Sequence, residues 1–85
     1  MDFELTKHTR DMLKERDILE EWLWLTINNP DWKNIGEDGN NHYFKSIKEH
    51  KEQILHVVVN PNVSPNKVIT VFFDRRMRRQ NETKS

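Results

Sequence analysis

The chain has 85 residues, 34% of them hydrophobic and 33% charged, and no cysteine. That size and composition suit one domain with a core one or two layers thick, and exclude disulfide staples and cysteine-ligated metal. The 14 basic and 14 acidic residues exclude a generic polycation, yet residues 60–85 hold 6 basic and 2 acidic side chains, a basic end suited to an anion or an acidic partner.

The N-terminal stretch MDFELTKHTR has no apolar leader core. No apolar run approaches the ~18 residues of a membrane span. The expectation is a cytoplasmic protein without membrane contact.

In chain order, Thr6 is an N-cap candidate for a first helix from Lys7 to Arg16, with Leu5, Met12 and Leu13 as a thin apolar stripe. Asp17, with Glu20 three residues on, has the form of a capping box for a second helix from Ile18 to Asn28. Leu19, Leu23 and Ile27 form its apolar ridge, widened by Trp22 and Leu25, and Pro30 ends it. Trp24 falls on the other side of that helix and reads as an exposed indole suited to a protein contact.

Residues Asn34 to Asn41 hold both glycines and read as a loop, in which Asp38-Gly39-Asn40 is a turn signal. Trp32 is expected to start a strand. His42 to Ile47 alternates as a strand, and Lys48 to Glu52 is a charged turn. Ile54 to Asn60 and Lys67 to Asp74 are β-branched strands joined across Pro61 and Pro65. Both are apolar on each face, with Val68, Thr70 and Phe72 opposed to Ile69, Val71 and Phe73. The expected architecture is α+β: two N-terminal helices packed on one face of a three- to four-stranded antiparallel sheet, with the second face left partly apolar and open. Residues 1–79 form this single domain, and 80–85 a disordered polar tail.

Several marks in this order resemble a known family: His8 and Arg10 as H-x-R, Arg16 before Asp17-Ile18, Asn29-Pro30-Asp31-Trp32, and the terminal FFDRR. Together they resemble a small bacterial family of unknown function placed near the BrnT, RelE and ParE toxins of type II toxin–antitoxin systems. The resemblance covers about Leu5 to Arg76. It implies a RelE/BrnT-like fold, and it implies RNA, the ribosome, a cognate antitoxin or a second copy of the chain as candidate partners.

Cutting RNA without a metal needs a group to take the 2′-hydroxyl proton, a group to protonate the 5′-oxygen, and cations on the phosphate. Histidine and arginine suit those roles. The catalytic candidates are His8, Arg16, His56 and Arg75, and the phosphate-binding candidates are Arg10, Arg76, Arg78 and Arg79. No cofactor is expected. His42 and His50 flank a strand, no histidine pair has i, i+4 spacing, and no metal site is expected. A non-enzymatic protein-interaction module on the same scaffold is the alternative function.

Overall fold

The computed structural model describes residues 3–76. Its elements run β1 (Phe3–Leu5), α1 (Lys7–Glu15), α2 (Glu20–Asn28), β2 (Trp32–Ile35), β3 (Asn41–Ile47), β4 (Gln53–Asn60) and β5 (Asn66–Phe73). A short 3-10 turn, Lys48–His50, joins β3 to β4. Among the described residues no helix is long and apolar enough to cross a membrane.

The class is α+β, but the sheet is larger than expected and mixed. Five strands lie in the order β1-β5-β4-β3-β2. Strands β2 to β5 pair antiparallel, while β1 pairs parallel with β5, Phe3 opposite Asn66 and Leu5 opposite Val68. The three residues of β1 are too few to show a period of two, so only pairing with β5 makes them a strand.

Thr6 caps α1 as expected, its Oγ1 accepting from the Thr9 amide at 3.1 Å. Thr9, fully buried, donates its hydroxyl to the Val68 carbonyl at 2.7 Å and so ties the start of α1 to β5. The other end closes differently from the expected capping box. Asp17 takes φ 53, and the amides of Asp17 and Ile18 donate back to Lys14 and Leu13. This is a Schellman stop to α1. The N-cap of α2 is therefore Leu19, which makes no side-chain cap and is 50% exposed instead of lying on the ridge.

Leu23 and Ile27 of α2 meet Met12 and Leu13 of α1 above Tyr43, Ile47, Leu55, Val57, Val59, Val68 and Val71 of the sheet. Burying side chains such as Leu23 contributes about 1.5–3 kcal/mol each. A bulge corrects the expected alternation of β5. Val58 faces Thr70 while Val59 faces Val68, which leaves Ile69 as the extra residue. Val68 and Val71 thus both reach the helices. Trp24 is not the exposed indole expected; it is half-buried against Phe3 of β1 and donates its Nε1 to Glu20 at 2.9 Å. The missing strand explains the difference, because β1 extends the covered surface beneath it.

The face opposite the helices is partly apolar as expected, but its centre is less open. Phe44, Ile54 and Val58, which alternate away from the core, are 4%, 1% and 5% exposed. Trp32 stacks on Phe44 with ring centroids 5.3 Å apart. Partial exposure on this face is kept by the apolar Trp32 and Phe72 at its sides and by the polar His42, Ser46 and His56.

Candidate active site: a histidine pair between two aspartates

Cross-strand register builds the site. Trp32 faces Phe44, Phe44 faces His56, and His56 faces Phe72, so four aromatic rings form one row across β2, β3, β4 and β5. His56 lies 4.3 Å from Phe44 and 4.7 Å from Phe72, centroid to centroid. Its polar neighbours are the diagonal ones, two positions from its direct partners: His42 beyond Phe44, and Asp74 beyond Phe72.

His42 Nδ1 is 2.8 Å from His56 Nε2, and His56 Nδ1 is 3.1 Å from Asp74 Oδ2. His42 Nε2 in turn is 3.4 Å from Asp38 Oδ1. An unbroken line Asp38–His42–His56–Asp74 therefore crosses the sheet. The side chains are 51%, 18%, 12% and 6% exposed in that order, so only the Asp38 end opens to solvent.

The two ends are fixed by different local structure. Asp74 follows the last residue of β5, where its amide still pairs with Ile54 O at 2.8 Å. Its Oδ1 accepts from the Arg76 amide at 3.1 Å. Asp38 sits in the loop between β2 and β3, where it accepts from the Asn40 amide at 2.9 Å, and that bond holds its carboxyl below the ordinary range. Gly36 is required beside it: a Cβ there would stand 2.6 Å from His42 Nε2 and 2.8 Å from Asp38 Oδ1.

His56 is pushed down from its ordinary value, chiefly by burial among the aromatic rings, with the charge of His42 acting in the same direction. The Asp74 carboxyl opposes that shift through its hydrogen bond. A carboxylate on one ring nitrogen and a second imidazole on the other give His56 the contacts a proton relay would use, and His42 is the more exposed ring of the two.

The residues expected from sequence do not gather around this line. His56 is in it. His8, Arg10 and Arg16 are exposed and belong to α1 and its C-cap, on the other side of the sheet. Arg16 is spent on structure as well, donating Nη1 to the Val71 carbonyl at 3.0 Å. Arg75 and Arg76 are exposed, and their backbone is helical rather than continuing the strand. The Arg76 Nε lies 3.8 Å from Asp74 Oδ1. Arg78, Arg79 and the expected tail 80–85 lie outside the described residues. His50 stacks on Phe73 at 4.1 Å and takes no part in the line. Among the described residues no group of three or more potential ligands is placed to hold a metal ion.

Sequence reading missed His42, Asp38 and the role of Asp74. A signal was present. The short turn at Lys48–His50 sets Ile47 against Gln53, and that register puts every even-numbered residue of β3 and β4 on one face. His42 and His56 are then diagonal neighbours.

No curated protein and no solved structure matches the chain. A family model described as a domain of unknown function, DUF4258, matches residues 5–73, a span that holds both helices, both histidines of the line and all of β5. The chain is therefore a member of the DUF4258 family.

Proposed function

We propose that the chain is a toxin-like module of the type II toxin–antitoxin kind that binds RNA and cleaves it without a metal. The observation that carries this reading is the 2.8 Å contact between His42 and His56, with a carboxylate behind each ring. His42 takes the proton of a 2′-hydroxyl as its oxygen bonds to phosphorus, and the bond to the 5′-oxygen breaks as that oxygen takes a proton from water, which the protonated His42 then replaces. The products are a 2′,3′-cyclic phosphate and a free 5′-hydroxyl. Arg75 and Arg76, close in sequence to the Asp74 end, supply cations for the phosphate oxygens. The resemblance to RelE- and BrnT-like proteins supports RNA as substrate.

Expression in a bacterial host should arrest growth, and His42→Ala or His56→Ala should relieve the arrest, while His8→Ala on the other side of the sheet leaves it in place. Purified protein should cut single-stranded RNA or ribosome-bound message. A harmless wild type that cuts neither would falsify the reading.

A second reading, a non-enzymatic interaction module, is favoured by Ile35. This residue is 75% exposed on β2, which is an edge strand of the sheet. A protein segment adding a strand there would be lost on Ile35→Lys, with an affinity that barely changes with salt. RNA binding would instead weaken steeply as salt rises.

A further inference from the structure

The line of four side chains poses a counting problem in hydrogens. It has three contacts, Asp38–His42 at 3.4 Å, His42–His56 at 2.8 Å and His56–Asp74 at 3.1 Å, and each needs one N–H. Two neutral imidazoles carry only two N–H groups between them. If His56 donates to Asp74 and His42 donates to His56, the outer nitrogen of His42 turns a lone pair toward the Asp38 carboxylate. One added proton at that nitrogen gives every contact a donor. A second added proton would place two N–H groups against each other at the centre. The arrangement suits a pair that holds one extra proton, neither none nor two.

The surroundings place that proton. From β4, His56 meets Asp74 at the end of β5 and His42 on β3, and it feels the positive charge of Arg76. Its ring is enclosed by Phe44 and Phe72. His42 meets Asp38 from the loop between β2 and β3, where the carboxylate is half-exposed. The extra proton therefore belongs at the outer nitrogen of His42, beside Asp38. The loop is built to meet it. Gly36 donates its amide to Asn40 O and accepts from the Gly39 amide, both at 3.0 Å, and Gly39 takes φ 81. That tight turn leaves no room for a side chain between Gly36 and the imidazole, since a Cβ there would stand 2.6 Å from His42 Nε2.

We infer that His42 and His56 form one proton-storing unit that holds a single proton between Asp38 and Asp74, and that this proton latches the Gly36–Asn40 loop over His42. With the proton present, His42 Nε2–H donates to Asp38 and the loop is shut. With the proton gone, a lone pair faces the carboxylate and the loop opens, exposing the nitrogen that exchanges protons. The loop thus gates the outer end of the relay. The inference goes beyond the RNA reading and does not depend on it, since it concerns protons and a loop rather than a substrate.

The test uses the full chain and two readouts other than cleavage. Nitrogen-detected spectra of the imidazoles, from about pH 5 to about pH 8, should show one proton entering the pair, with His56 keeping its proton on Nδ1 throughout. The second proton should enter in a separate step more than about one pH unit lower. Over the first step, amide hydrogen exchange at Glu37 to Asn40, corrected for intrinsic rates, should slow roughly three- to tenfold as the latch forms. Asp38→Asn, a surface change that keeps the fold, should abolish that slowing and leave the His56 tautomer as it was. Independent protonation of both rings in one step would overturn the inference. So would loop exchange that ignores the first proton, or an Asp38→Asn protein whose loop behaves as wild type.

Discussion

Asp74 stands one residue beyond the last strand, and its Oδ2 lies 3.1 Å from Nδ1 of His56, the diagonal neighbour on β4. The acidic residue between an apolar strand and a run of arginines is thus turned toward the sheet, where it orients a half-buried imidazole. The arginine after next is held to the same carboxylate only loosely, with a side chain 89% exposed.

Replacing Asp74 by alanine removes an acceptor for donors that include His56 Nδ1 and the Arg76 amide. Leaving a largely buried donor unpaired costs about 1–3 kcal/mol. Urea unfolding should show a loss of that size, with Asp74→Asn losing less because its amide oxygen still accepts. An alanine variant as stable as wild type would show that the contact does not anchor the strand end.

Stability should depend on pH through His56. Its folded-state value lies below the ordinary 6.5, so the unfolded chain binds the proton more readily. The contribution of neutral His56 is fully present above pH 6.5 and is lost as pH falls below it toward the lower folded value. Glu4 and Asp38 have lowered values too, but their contributions are lost only at more acidic pH, below their ordinary 4.5 and 3.8. The wild-type stability minus that of His56→Gln should therefore fall on acidification just below pH 6.5. A difference that stays flat there would contradict the assignment.

Gly36→Ala should disturb the site without disturbing the backbone angle. The new methyl would meet His42 Nε2 at 2.6 Å and Asp38 Oδ1 at 2.8 Å, so the imidazole or the carboxylate must move. Crowding of this kind costs about 1–3 kcal/mol. The His42 resonances should shift and the bond to His56 should weaken, while core methyl resonances stay in place. Unchanged imidazole spectra would mean that the loop does not touch the ring in solution.

Asp17→Gly should stabilise the protein by about 0.5–1 kcal/mol. Asp17 occupies the left-handed region at φ 53, where glycine carries no steric penalty, and its side chain is exposed. Thermal unfolding should shift upward by a few degrees. A downward shift would mean that the carboxylate contributes more than the backbone strain costs.

Much of this architecture is legible in local chemistry. Thr6 caps α1 because a short hydroxyl residue before an apolar stripe can satisfy a free helix amide, and that needs no tertiary contact. The β-branched runs from Ile54 and Val68 form strands for equally local reasons, as does the proline-marked connection between them. Trp32 opens β2 where the helix-ending Pro30 released the chain.

Other features depend on which residues meet across distance. Three residues at Phe3–Leu5 carry no periodic signal and become a strand only when β5 offers an edge. The bulge at Ile69 changes which side chains of β5 face the helices, and alternation alone misassigns Val71. The histidine line is of the same kind. His42 and His56 are fourteen positions apart, and their 2.8 Å contact arises from ladder register, not from spacing. Local propensity by itself determined the helices, most of the strands and the α+β class, because those signals are carried by neighbours within a turn or a pleat. Tertiary pairing alone decided the edge strand and the imidazole that meets Asp38, because a register shift of one residue would turn His42 to the other face of the sheet.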